Sequence, residues 1–228
     1  MRQQASVMNH LLGANRSLAV SVLSLLALIF MQDWVIAQPQ RTVSNLPVRD
    51  NHHLDDSLAA DRIAGALTKA LADGRRLIVV RKSAGTLSLY VRGVVDTTFR
   101  VVFGRNGLGD KQRAWDGLTP EGLFTIGLRT NEPLSHYYES LMLNYPLPED
   151  ADRGLSVGLI DRLTHRRIRD AHERGEMPDQ RTALGGDICI HGGGATHNWT
   201  MGCIALDNDD MKYLFDRVRI DDRCLIIP

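Results

Sequence analysis

The sequence has few cysteines, few aromatic residues and no excess charge, and each shortage excludes a class of protein. Three cysteines in 228 residues are too few for a disulfide scaffold. The 27 basic and 27 acidic side chains cancel, so charge gives no reason to expect nucleic acid or an acidic membrane surface as a partner. Aromatic residues make up only 6% of the chain and glycines number 20, which favours many turns and short strands over a helical bundle.

Residues 1–37 show the pattern of a secretory leader. Arg2, His10 and Arg16 precede an apolar run over residues 18–31 that is interrupted only by serines. The run is shorter than the roughly 20 residues that span a bilayer. We therefore expect cleavage after Ala37 and export to the periplasm, and the alternative is an uncleaved anchor.

One globular domain is predicted for residues 54–228, after a turn-rich linker over residues 38–53. A hydrophobic share of 43% is enough to bury one core of this size. Asp55 and Asp56 are predicted to cap a helix that ends at Gly74. Three β-rich runs with short turns between them then predict an antiparallel meander: Leu77–Arg81, Thr86–Arg92 and Val94–Phe103.

The rest of the domain alternates between strand and helix patterns. Apolar residues at helical spacing predict one helix over Leu155–Arg174 and another after a cap at Asp207 or Asn208. This order of elements predicts a mostly β domain with packing helices, in the α+β class. The further strands are expected at Leu123–Leu128, Asp187–His191 and Cys224–Ile227.

The strongest chemical signal is the segment from His191 to Cys203, which reads HGGGATHNWTMGC. A strand delivers His191, glycines let the backbone approach a ligand, and Cys203 comes shortly before a helix cap. A free thiol with a pKa of about 8.5 is mostly protonated at pH 7, so a cysteine nucleophile needs a base or a positive helix end. His191 is the candidate base. The amides of Gly202 and Cys203 are candidates for facing a developing oxyanion.

Several segments from about Arg76 onward resemble the L,D-transpeptidase catalytic domain, also called the YkuD domain. The runs that begin at Leu77 and Leu87 are similar to the opening strands of that family, and DGLTPEG at 116–122 is similar to its next motif. The segments GDICIHG at 186–192 and GCIALDN at 202–208 resemble its catalytic half.

The resemblance implies the β-sandwich of this family and an enzyme that acts on peptidoglycan stem peptides without a metal or cofactor. By the resemblance, Cys203 is the nucleophile that accepts the acyl group and His191 is its base. Substrate contacts are expected from the backbone and side chains of Gly192, Gly193, Trp199 and Thr200. For Trp199, a packing role and a role as a wall of the peptide groove both stay open.

Two departures from the family pattern concern the acceptor. Met201 stands where the family commonly has a histidine, and Ala205 stands where it often has arginine or asparagine. His197 is a candidate replacement for the missing histidine. A subgroup with Trp-Thr before Gly-Cys resembles the chain more closely, and it includes enzymes thought to cut peptidoglycan attachments. We expect transpeptidation, with hydrolysis by an L,D-carboxypeptidase or amidase as the alternative.

The cysteines also allow interpretations other than catalysis. Cys189, His191, His197 and Cys203 are ligand types for zinc, but they lack a Cys-x-x-Cys spacing. Cys189 and Cys224 are expected to fill the core, and a disulfide between them is the alternative in an oxidising compartment. A non-catalytic wall-binding module is expected to lose His191 or Cys203, and both are present.

Overall fold

A computed structural model of the protein describes residues 51–131, 134 and 137–228. The predicted leader, and the predicted linker through residue 50, lie outside the described residues. The described part contains four helices, α1 (Asn51–Ala72), α2 (Pro148–Ser156), α3 (Arg162–Glu173) and α4 (Asn208–Arg217). Its strands are β1 (Leu77–Arg81), β2 (Thr86–Val91), β3 (Val94–Arg100), β4 (Gly122–Thr130), β5 (Ser140–Leu143), β6 (Cys189–His191), β7 (Ile204–Ala205) and β8 (Arg223–Ile227).

The eight strands form one sheet in the order β3-β2-β1-β8-β4-β5-β6-β7. The pairs β1–β8 and β6–β7 are parallel, and the other neighbours are antiparallel. Val102, just after β3, exchanges two backbone hydrogen bonds with Ala205 of β7, at 3.0 and 2.9 Å. The sheet therefore curls until its two ends meet, and the predicted α+β class is confirmed.

Two apolar clusters explain why β1 and β8 read as unbroken apolar runs. Ile78 and Ile226 belong to the main cluster, which includes Met211 and Leu214 of α4. The alternate residues of β1 and β8 face the other side of the sheet, where α1 supplies Ile63, Ala66 and Ala70. Both faces of these central strands are thus covered, as in parallel sheets buried between layers.

The predicted meander is confirmed, because β1, β2 and β3 pair in antiparallel succession. In β2 the alternation of polarity is matched by burial, with Leu87 and Leu89 fully buried. The turns between these strands contain Gly85 and Gly93, whose φ angles of 64° and 83° suit glycine. The last strand is also confirmed, as β8.

The single helix predicted over Leu155–Arg174 is wrong. The chain forms α2 and α3 instead, with Gly158 at φ 70° between them and Asp161 accepting a hydrogen bond from the Thr164 amide at the start of α3. The strand β5 was not predicted. Helix α1 begins at Asn51, so residues 51–53 of the predicted linker are helical. Among the described residues, no helix combines the length and apolar character needed to cross a membrane.

Candidate active site

Cys203 immediately precedes β7, which lies parallel to β6. The register pairs Ile190 with Ile204 and His191 with Ala205, so continuing it places Cys189 opposite Cys203. Gly202 has φ 133°, and a Cβ added there would lie 2.7 Å from the Leu118 carbonyl oxygen. The glycine before Cys203 is therefore required by backbone conformation and by space.

His191, at the end of β6, has one ring nitrogen fixed by the backbone. Its side chain is only 1% exposed, and Nδ1 lies 2.6 Å from the Gly192 carbonyl oxygen. Because a carbonyl oxygen only accepts hydrogen bonds, Nδ1 carries the proton in the neutral ring and Nε2 is left as the acceptor. Among the causes that lower the pKa of Cys203 are a hydrogen bond from the His191 side chain and its charge. This is the arrangement required of a base for the thiol.

Two aromatic rings hold the imidazole of His191 in place. Tyr137 stacks on its face with ring centroids 4.1 Å apart and an interplanar angle of 16°. Trp199 meets it edge-on at 5.6 Å and donates a hydrogen bond from Nε1 to the Gly194 carbonyl oxygen. Sequence reasoning missed Tyr137, which reaches the site only through tertiary structure.

The thiol of Cys203 is surrounded by hydrogen-bond donors. The Cys189 amide lies 3.4 Å from Sγ, and the Cys189 thiol lies on the same side of the site. The thiol contact with Cys189 lowers the pKa of Cys203, burial opposes this, and the hydrogen bond and charge of His191 lower the pKa further, so that it lies well below its usual value. When protonated, the thiol donates to the Asp187 carbonyl oxygen at 3.5 Å.

Cys189 is the cysteine of this pair whose pKa is raised. The hydrogen bond to Cys203 and burial both raise the pKa of the Cys189 thiol. The alternative disulfide between Cys189 and Cys224 is wrong, since all three cysteines are free. Cys224 is fully buried in β8, and two strands separate β8 from β6 in the sheet.

The glycines after His191 serve the fold of the loop. The Gly192 amide donates to the Tyr138 carbonyl oxygen at 2.8 Å, and a Cβ on Gly192 would lie 2.6 Å from Asn208 Oδ1. The Gly193 amide donates to the same Asn208 oxygen at 2.9 Å. Both amides are thus bonded within the protein, so the expected contacts of Gly192 and Gly193 with substrate do not come from their N–H groups.

Thr200 fixes the backbone on either side of the nucleophile. It is 3% exposed, its Oγ1 donates to the Cys203 carbonyl oxygen at 2.7 Å, and the same Oγ1 accepts from the Gly202 amide at 3.2 Å. The hydrogen bonds of this hydroxyl are thus made within the protein. The Gly202 amide is likewise occupied, which leaves the Cys203 amide as the proposed oxyanion donor.

A groove of about 640 Å³ runs beside Cys203. Tyr137, Met201 and Trp115 give it apolar walls, and Arg181 adds a guanidinium group. Trp115 is 83% exposed and has φ 63°. The groove is large enough for part of a peptide.

The loop that presents Trp115 is held by buried ionic contacts. Burial raises the pKa of Asp116, but hydrogen bonds from Lys111 and from the backbone amides of Arg113 and Gln112 outweigh it, and the pKa lies below its usual value. Nearby, the buried Lys82 Nζ donates to two backbone carbonyls and to Glu121. These contacts hold the loop that places Trp115 along one wall of the groove.

The family model of the L,D-transpeptidase catalytic domain, YkuD, matches residues 75–227. The chain belongs to this family. No protein of curated function matches the chain.

Solved structures that resemble this YkuD domain are remote in sequence. An L,D-transpeptidase from Xylanimonas cellulosilytica has 15% identity and a TM-score of 0.43, over 68% of this chain and 61% of that one. The helical cell shape determining protein Pgp2 from Campylobacter jejuni has 21% identity and a TM-score of 0.44, over 67% and 47%. Bd1075 from Bdellovibrio bacteriovorus has 23% identity and a TM-score of 0.43, over 68% and 48%. The match thus spans about half to three-fifths of each of these structures.

Within the YkuD domain, the two departures from the family pattern have different surroundings. Met201 is 38% exposed and lines the groove. Ala205 is fully buried against Val102 and Ala195, so its side chain does not face the groove. His197 bonds to Thr196 and lines a separate groove.

The four zinc-ligand candidates are therefore not gathered in one place. Cys189, His191 and Cys203 are neighbours, but His197 belongs to the other groove. In the part of the chain that the structure describes, no three His, Cys, Asp or Glu side chains are grouped as a metal site.

Proposed function

We propose that this YkuD domain is a peptidoglycan L,D-transpeptidase that works through an acyl-enzyme on Cys203. The observation that carries the proposal is that Cys203 lines a groove. The pKa of its thiol is lowered by Cys189 and also by His191, whose Nδ1 is held by the Gly192 carbonyl oxygen. The leader predicted for residues 1–37 supports a place of action in the periplasm, where stem peptides are found.

The first half-reaction follows from the geometry around Cys203. Nε2 of His191 takes the thiol proton, and the thiolate attacks a peptide carbonyl of the donor stem. The Cys203 amide donates to the oxyanion. The imidazolium then protonates the departing amine, and a thioester on Cys203 remains.

The second half-reaction decides between transfer and hydrolysis. Transfer needs the acceptor amine held near the thioester while water is kept out. Arg181 in the groove is a cation that can hold a stem-peptide carboxylate, and this supports transfer. Met201 lacks a charged group, and its exposure in the groove supports hydrolysis as the second candidate.

The test incubates the purified protein with tetrapeptide muropeptides, with and without a competing D-amino acid, and analyses the products by mass spectrometry. Cross-linked dimers or exchange of the terminal amino acid are expected for a transpeptidase. Shortened or detached peptides as the only products would instead assign hydrolysis.

Variants assign the roles within the same assay. Cys203→Ala should abolish product, and His191→Ala should lower the rate by at least about a hundredfold, the scale of a positioned general base. Cys224→Ala is the matched control, because it also removes one thiol but lies in β8 away from the groove. Turnover by Cys203→Ala near that of the control would refute the acyl-enzyme. Failure of Cys203 to react with an alkylating agent would favour a non-catalytic wall-binding module.

A further inference from the structure

A second cysteine, Cys189, lies beside the nucleophile, where it also lowers the pKa of Cys203. Continuing the register of the parallel pair β6 and β7 by one residue places Cys189 opposite Cys203. Neighbouring strands are about 4.8 Å apart, which falls inside the Cα separation that disulfides span, roughly 4.4–6.8 Å. The Cys203 sulfur reaches Cys189, because the Cys189 amide lies 3.4 Å from Sγ of Cys203. Each thiol also shifts the pKa of the other.

Both residues of the pair are also partly exposed to solvent. Cys189 and Cys203 are each partly exposed, whereas Cys224 is fully buried. Cys203 lines the groove, which gives an oxidant a way in. Cys189 and Cys203 are therefore the two cysteines that are both close to each other and partly exposed, whereas Cys224 is neither.

We propose that Cys189 is a resolving thiol that forms a reversible disulfide with Cys203 and so protects the nucleophile from irreversible oxidation. The proposal rests on the proposed function, because it takes Cys203 to be the reactive thiol. It assigns a modification site to the active-site groove.

The reaction with a peroxide balances in two steps. The Cys203 thiolate attacks one peroxide oxygen, an S–O bond forms as the O–O bond breaks, and the leaving hydroxide becomes water with the thiol proton. The Cys189 sulfur then attacks the sulfenic sulfur of Cys203, the S–S bond forms, and the hydroxyl leaves as a second water with the Cys189 proton. Two thiols are oxidised and one hydrogen peroxide is reduced.

A disulfide between laterally paired residues of adjacent strands is expected to be readily reducible. The side-chain geometry of such a pair departs from the relaxed disulfide, and strained, accessible disulfides have more oxidising potentials than structural ones. A reductant should therefore return Cys203 to its reactive form.

The test uses hydrogen peroxide and peptide mapping of the full chain. Trypsin cuts after Arg181, Lys212 and Arg223, so one peptide, 182–212, carries both Cys189 and Cys203, and the peptide that begins at Cys224 carries the third thiol. After a peroxide pulse, we expect peptide 182–212 to lose two hydrogen atoms in mass and to resist alkylation. Dithiothreitol should restore alkylation at both of its cysteines.

Two variants make the test discriminating. Cys189→Ser should leave Cys203 to gain two or three oxygen atoms, with alkylation lost after peroxide and not recovered by dithiothreitol. Cys224→Ala should behave as the wild type. The proposal is overturned if wild-type Cys203 over-oxidises while Cys189 stays reduced, or if Cys224 is found in the cross-link.

The readout separates this proposal from the proposed function. Disulfide formation is measured by mass, and the reduced protein is assayed on muropeptides in parallel. A disulfide without muropeptide turnover would refute the function alone. Turnover that peroxide abolishes irreversibly in the wild type would refute the resolving thiol alone.

Discussion

Replacing Cys189 by alanine tests how the Cys203 thiol becomes a nucleophile. The Cys189 thiol donates a hydrogen bond to Cys203 and is the largest cause of its lowered pKa. A hydrogen bond to a charged group is worth about 1.5–3 kcal/mol, and about 1.4 kcal/mol changes an equilibrium tenfold. Cys189→Ala should therefore lower the thiolate fraction of Cys203 by roughly ten- to a hundredfold at acidic pH.

The assay is the rate of alkylation of Cys203 by iodoacetamide as a function of pH, followed by mass spectrometry of peptide 182–212. Removing the donor raises the pKa of Cys203. The alkylation rates of the wild type and Cys189→Ala should therefore differ at acidic pH. They should converge at alkaline pH, where Cys203 is ionised in both proteins. Cys189→Ser keeps an O–H donor and should lie between them.

Cys224→Ala serves again as the control and should follow the wild-type pH profile. Equal alkylation rates for the wild type and Cys189→Ala at acidic pH would refute the reasoning. They would mean that His191 and the Cys189 amide suffice to stabilise the thiolate.

Three other predictions concern the backbone around the nucleophile and the leader. Thr200→Val should lower the free energy of unfolding by about 1–3 kcal/mol, because a buried amide and a carbonyl lose their hydroxyl partner. Thr200→Ser keeps the hydroxyl and should lower it by only about 0.8 kcal/mol, for the loss of one methyl group. Urea unfolding measures both changes. Gly202→Ala should cost at least about 1 kcal/mol in the same measurement, owing to positive φ and the close Leu118 carbonyl, and an unchanged midpoint would contradict this. N-terminal sequencing of periplasmic protein should begin near Gln38, and a cytoplasmic full-length chain would speak against export.

Local sequence signals predicted the parts of the fold that depend on neighbouring residues. The meander β1–β3 was predictable because its strands are joined by short turns and pair with their neighbours in sequence. By contrast, β5 has only four residues and bonds to β4 and β6 from separate parts of the chain. The break at Gly158 was missed because apolar spacing continues on both sides of it.

The residues of the candidate site also divide into those that local sequence signals predict and those that they do not. His191 and Cys203 were predictable because glycines and a helix cap flank them in sequence. Tyr137 was not, since its stacking on His191 is decided by the packing of a distant loop. One sequence signal for the contact between Cys189 and Cys203 was available. Cys189 and His191 are two residues apart on one strand, so their side chains lie on the same face of the sheet.

The place of β8 in the sheet has a consequence for the order in which the chain can fold. β8 lies between β1 and β4, and it contributes to both apolar clusters through Ile226 on one face and Leu225 on the other. Until β8 has been synthesised, β1 and β4 have open edges and neither cluster is complete. Such pairing between distant segments is slow to form. The domain should therefore stay unfolded until β8 has been synthesised, although the meander β1–β3 precedes it in the chain.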